Sequence, residues 1–292
     1  MPQGTGFFSM HTLRCGIAVP PRFNGSVVSV HPGETPISNV LLQDEWGPFI
    51  VSLITSIEHM TAGSLLLSQD AIPLLNTLTP GTRVSGSATH VMIYPVESTP
   101  VTIPRDGTRW SGEVQRNKES SKQPFLPALV DELSAYLQHH SEMHHGLAPL
   151  LLNTILQEPL TCRARGILDA TPPDNIPAGL IGLGPGFTPA GDDFLMGVLA
   201  VEALSHRDPG RFQRSVVPRL TSTTAGGATL LRHALSRSFP FYFHQVCDIL
   251  VSSETDLPAI AEGAWHKAST HGHSSGVDAL SGFIWALRRN NR

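Results

Sequence analysis

One seven-residue pattern occurs twice in this chain, and it constrains the fold more than any bulk property. The first copy, Gly191-Asp192-Asp193-Phe194-Leu195-Met196-Gly197, closes the longer stretch that starts Gly182-Leu183-Gly184-Pro185-Gly186-Phe187-Thr188-Pro189-Ala190. The second is Gly276-Val277-Asp278-Ala279-Leu280-Ser281-Gly282. Both read Gly-x-Asp-x-Leu-x-Gly, and each opens an apolar helical run. Glycine lets backbones approach closely, and a proline fixes a turn. The aspartate falls where a starting helix leaves N–H groups unpaired. The spacing therefore predicts two helix N-termini that meet in space around one small anionic ligand.

At 292 residues the chain holds one large domain or two ordinary ones. A hydrophobic share of 40% with 15% charged residues is globular, and a net charge of −4 argues against a general nucleic-acid binder. Cys15, Cys162 and Cys247 are odd in number, far apart and outside any C-x-x-C pattern. That usage fits buried free thiols in a reducing compartment. The longest uncharged apolar runs, such as Phe194 to Val201, fall short of the ~20 residues of a membrane span. The expectation is a soluble, cytoplasmic protein with no membrane or nucleic-acid partner.

The organisation expected is α+β: a β-rich, barrel- or sandwich-like domain over 1–115, then an all-α domain over 124–292. Ser26–His31, Phe49–Ile54 and Ala88–Tyr94 are short β-branched runs between turn formers such as Pro32-Gly33 and Pro80-Gly81. One helix is expected near Ser68 to Leu78. Arg105 to Gln123 turns polar and charged and is the best linker candidate. Leu126, Leu129, Val130, Leu133 and Leu137 then recur at helical spacing. Further helices are expected at Leu147–Leu156, Asp193–Leu204, Ala228–Ser236, Phe241–Val251, Leu257–Ser269 and Val277–Leu287. The Pro- and Gly-rich stretch Leu168–Gly191 reads as a long functional loop.

The glycine loop lacks the Gly-Lys-Ser/Thr ending of a nucleotide P-loop. It offers the backbone amides of Gly184, Gly186 and Gly191, the Thr188 hydroxyl, and adjacent carboxylates at Asp192 and Asp193. Helix N-termini attract anions, but two carboxylates repel a bare phosphate, so a bridging divalent cation such as magnesium on Asp192 and Asp193 is one reading. The plainer one is that Asp193 caps its helix. Ahead of Asp278 stand His273, a candidate proton-transfer group, and Ser274, Ser275 and Gly276, candidate anion donors. Ser275 with Asp278 also reads as an ordinary capping pair. Between the two copies, Thr221 to Gly227 leads to Arg232 and His233, a further anion-binding candidate or an ordinary helix. In the cluster His139 to His145, His140 and His144 share a helical face, but no carboxylate or cysteine completes a metal set. Cys247 reads as core.

Gly182 to Asp193, Leu230-Leu231-Arg232-His233-Ala234 and His273-Ser274-Ser275-Gly276-x-Asp278 together resemble a bacterial family first catalogued as a domain of unknown function. Its hallmark is Gly-x-Gly-Pro-Gly-Leu-Thr-Pro-x-Gly-Asp-Asp, and Phe187 stands here in place of the usual Leu. The resemblance covers most of 110–290. The family includes the AllH-type subunit of oxamate carbamoyltransferase, from anaerobic allantoin and purine-nitrogen degradation. It implies a multisubunit enzyme that moves a carbamoyl group between oxalurate and phosphate, giving oxamate and carbamoyl phosphate. It also implies partner subunits and a small anionic substrate. The Ser-x-Arg-Thr phosphate loop of ordinary transcarbamylases is absent, so the chemistry uses another solution or the centre lies partly on partners. The site expected is Asp193, Asp278 and His273 with the flanking glycines, hydroxyls and Arg232-His233. Two other classes stay open: a metal-dependent hydrolase, loosely like ADP-ribosylglycohydrolases, and a non-catalytic assembly subunit whose glycines only pack helices.

Overall fold

A computed structural model describes residues 10–114, 127–140, 146–151, 158–172, 177–205, 209–251 and 257–290. The chain divides into two compact units, Met1–Ser111 and Gly112–Arg292. The fold class is α+β as expected, with a curled nine-strand half-barrel sheet followed by helices.

The sheet strands are β1 (Thr12–Gly16), β2 (Phe23–His31), β3 (Ile37–Asp44), β4 (Gly47–Ile54), β5 (Ser64–Leu67), β6 (Arg83–Gly86), β7 (His90–Tyr94), β8 (Val101–Pro104) and β9 (Thr108–Trp110). Their order is β8-β7-β6-β2-β3-β4-β5-β1-β9. Pairing is antiparallel except for β4 with β5 and β1 with β9. The three β-branched runs lie in β2, β4 and β7. Strand β5 escaped notice because Ser64-Leu65-Leu66-Leu67 is buried throughout and shows no alternation. The expected helix is α1 (Ile72–Thr77), entered through a 3-10 turn. Val40, Leu53, Leu65, Leu67, Val84, Val91, Ile93 and Ile103 fill the concave side, where alternate residues of each strand point, and Leu75 closes it.

Arg105 ties this curl together. Its guanidinium donates to Pro20 O at 2.6 Å, Val19 O at 2.9 Å, Ser87 O at 3.2 Å and the Cys15 thiol at 3.3 Å. Beside it the Thr12 hydroxyl of β1 donates to Pro104 O of β8 at 2.7 Å, so one edge strand is stitched to the strand next to the other edge without strand pairing. The expected linker is corrected accordingly. Arg105 is a clamp, Thr108–Trp110 is a strand, and Val114 is buried in the helical core. Residues 115–126 lie outside the described ones. Cys15 and Cys247 are buried as expected, but Cys162 is exposed on its helix.

The second unit contains α2 (Pro127–His140), α3 (Pro159–Ala170), α4 (Ala190–Leu204), α5 (Pro209–Val216), α6 (Ala225–Leu235), α7 (Phe241–Val251), α8 (Leu257–Ser269) and α9 (Ser275–Asn290). Helices α3 and α5 were not anticipated, and the expected 147–156 helix is a 3-10 turn at Ala148–Leu151, with 152–157 outside the described residues. Every residue of α4 is buried. It packs along α9, where Phe194 meets Trp285 with ring centroids 6.0 Å apart, and Phe243 of α7 stands edge-on to Phe283 at 5.3 Å. Among the described residues no helix is long and apolar enough to cross a membrane.

Two measurements check these contacts. Arg105→Gln strands several carbonyls of the clamp and is expected to cost the chain about 2 kcal/mol in urea unfolding. His244 holds Asp248 at 2.9 Å through Nδ1 and Glu113 O at 3.1 Å through Nε2, and the Asp248 bond raises its pKa. Its stabilisation is full below the ordinary imidazole value of 6.5 and is lost as pH rises through the raised one. The stability gap to His244→Ala, under about 1 kcal/mol for so exposed a pair, narrows over that window in pH-dependent melts.

Candidate functional site

The two sequence copies meet. A side chain at Gly197 would strike the carbonyl of Ala279, and one at Gly282 would strike the carbonyl of Phe194. Ala279 and Phe194 occupy the same place in their respective copies, so the contact is reciprocal and the two helices touch backbone to backbone. Four residues upstream of each glycine stand Asp193 and Asp278, which are 2% and 0% exposed and act on one another electrostatically.

Donors hold these carboxylates from one side. Asp278 Oδ1 accepts the Leu147 N–H at 2.6 Å, and Ser274 also donates to it. The Gly146-Leu147 turn requires glycine, since Gly146 has φ of +64° and a Cβ there would collide with the Asp278 carboxylate. Asp193 is bonded by Ser275 and Thr188, whose hydroxyls lie 3.2 Å apart and join the two motifs. Burial pushes Asp278 up to about 7, against the pull of its Leu147 and Ser274 bonds. Burial and the Asp278 charge raise Asp193 well above the carboxylate range. Oδ2 of each carboxylate is buried and has no hydrogen-bond partner.

Tyr242 of α7 completes the cluster. It is 4% exposed, and burial together with both aspartates raises its phenol well above 10. Its ring stacks on His271 with centroids 3.8 Å apart. The sequence did not single out Tyr242, because an aromatic in an apolar helix reads as core. The Leu147 amide has no side-chain signal at all.

Asp192 turns elsewhere. Adjacent residues of a helix point about 100° apart. Asp192 accepts the Gly182 N–H at 3.0 Å and a short bond from the Thr223 hydroxyl, tying the glycine loop to the start of α6. Thr224 caps α6 at Gly227 N and donates to Phe187 O. Neither aspartate caps its helix by side chain in α4, where Pro189 is the N-cap and its carbonyl takes the amides of Asp192 and Asp193.

The amides of Gly191 and Gly276 donate to the carbonyls of Leu183 and His271. Gly184 and Gly186, with φ of +107° and +109°, form the outer turn of the loop. His273 is exposed on the turn before α9. Arg232 and His233 lie in the last turn of α6, about 12 Å along the helix from its N-terminus, and are not among the groups that shift either aspartate. Burial and the neighbouring Arg232 lower the His233 pKa to about 4, so its ring is neutral. Residues 141–145 of the histidine cluster lie outside the described ones, and among the described residues no three His, Cys, Asp or Glu side chains gather as a metal set.

The fold and the site define a helical domain centred on a paired-aspartate helix crossing. Residues 180–287 match the family model described as oxamate carbamoyltransferase subunit AllH, a stretch that includes both motifs. The resemblance read from Gly182 to Asp193 and His273 to Asp278 is thereby borne out. Neither the curated proteins nor the solved structures contain a match.

The reciprocal contact makes a direct test. Gly197→Ala or Gly282→Ala must push α4 and α9 apart and is expected to destabilise the chain by about 3 kcal/mol or more. Gly263→Ala in α8 meets nothing within 4 Å and should stabilise by about 0.5 to 1 kcal/mol. Urea melts of the three variants give the signs.

Proposed function

We propose that this chain is a subunit of a carbamoyltransferase of the oxamate type, acting with partner subunits on oxalurate and phosphate. The observation that carries the reading is the convergence of Asp193 and Asp278 at one centre inside the family-matching stretch. A non-catalytic packing role accounts for Gly197 and Gly282. It does not account for two buried carboxylates that each keep an unsatisfied oxygen, a costly arrangement that a purely structural crossing would replace with apolar groups.

In this reading the Gly184–Gly186 turn contacts the small anionic substrate, while the Thr188, Ser274 and Ser275 hydroxyls hold the two aspartates. His273, exposed beside them, moves the proton that the departing nitrogen needs when the carbamoyl carbon passes to a phosphate oxygen. The groups that act on Asp193 and Asp278 are hydroxyls, a backbone amide and other carboxylates. An anionic substrate therefore needs a positive counter-charge that those side chains do not supply.

The experiment is reconstitution of the chain with its partner subunits and assay of carbamoyl phosphate formed from oxalurate and phosphate. Asp193→Asn and Asp278→Asn, with unaltered circular dichroism, are expected to lower the rate at least about 100-fold, and His273→Ala to lower it within the same range. Full activity in all three folded variants overturns the reading.

A further inference from the structure

We infer that Asp193 and Asp278, with the phenol of Tyr242, form a binding site for one hard divalent cation of the magnesium or manganese class. The inference concerns the same centre but stands without the carbamoyltransferase reading.

Three oxygens lead to it. Asp193 Oδ2 and Asp278 Oδ2 are buried and accept no hydrogen bond. Asp278 Oδ1 is held by the Leu147 amide, and the Ser274, Ser275 and Thr188 hydroxyls hold the two carboxylates in place. Tyr242 is an independent observation from a different helix. The residue is 4% exposed, and its phenol lies within electrostatic reach of both carboxylates. Two buried carboxylates close enough to act on one another repel when ionised, and what complements them is positive charge. Carboxylate and hydroxyl oxygens without nitrogen or sulfur suit a hard cation. Magnesium in particular takes one or two carboxylates and fills its remaining positions from water and substrate phosphate.

The arrangement also explains the rigid frame. A cation held by one carboxylate from each of two helices needs those helices at fixed separation, which the Gly197 and Gly282 contacts enforce. It differs from the ligand pair read from the sequence, because Asp192 is bonded to Gly182 and Thr223 and the second carboxylate comes from the other motif. Bound there, the cation would provide the counter-charge that a phosphate or carboxylate ligand requires.

The test is direct binding to the full chain, stripped with chelator, with manganese(II) followed by electron paramagnetic resonance and magnesium as competitor. One saturable site per chain is expected, displaced by magnesium, with a change in tyrosine near-ultraviolet absorbance that Tyr242→Phe removes. Asp193→Asn and Asp278→Asn should each weaken binding at least about tenfold, and Glu262→Gln on the exposed face of α8 should leave it unchanged. Should an asparagine variant not fold, Tyr242→Phe decides by the loss of the absorbance change. Absence of saturable binding to the folded wild-type chain, or binding that survives Asp278→Asn, overturns the inference. Because no turnover is measured, that result is distinct from a failure of the reconstituted transferase.

Discussion

The helical unit depends on a place where two backbones touch. At Gly197 and Gly282 any side chain would collide with a carbonyl of the facing helix, so α4 and α9 come closer than helices lined by leucine or valine can. That closeness is what carries Asp193 and Asp278 into the same dry volume. Removing two carboxylates from water is unfavourable by several kcal/mol each, and apolar packing of Phe194, Trp285, Phe243 and Phe283 around the crossing supplies the compensating burial. The polar centre and the hydrophobic core are thus one construction.

The surroundings of the pair are asymmetric in a useful way. Donors approach from the helix starts and from the Gly146-Leu147 turn, while one oxygen of each carboxylate stays without a hydrogen bond and Tyr242 lies within electrostatic reach. Asp192, next in sequence to Asp193, serves a different end by joining the glycine loop to α6 through Gly182 and Thr223. One residue pair therefore divides its labour between a polar centre and a structural tie, and the helical rotation between neighbours is the reason.

Much of this was legible in the sequence, and the limits have physical causes. The echo of Gly-x-Asp-x-Leu-x-Gly announced that two helix starts would meet, since a pattern that costs backbone entropy twice needs a reason twice. Helices α4, α7, α8 and α9 followed from apolar periodicity. Strands β2, β4 and β7 followed from β-branched runs, whereas β5 and β9 are too short or too evenly buried to show a period. The direction of the Asp192 side chain was not legible, because rotation about a helix is set by what packs on it. Tyr242 was hidden among the aromatics of α7, and the Leu147 amide could not be seen because every residue but proline has one. Arg105 sat in a polar stretch that reads as a linker, although its guanidinium closes the sheet.

Every residue of α4 is buried, and the hydroxyls that join its start to that of α9 belong to Thr188 and Ser275, 87 residues apart along the chain. A helix that is buried on every face has no solvent side while its partner is still missing. During synthesis α4 therefore emerges well before the helix that covers it, and its closing contact is a long-range one with a correspondingly large loop to order. The same crossing that gives the mature unit its rigid centre leaves α4 uncovered until α9 has been made.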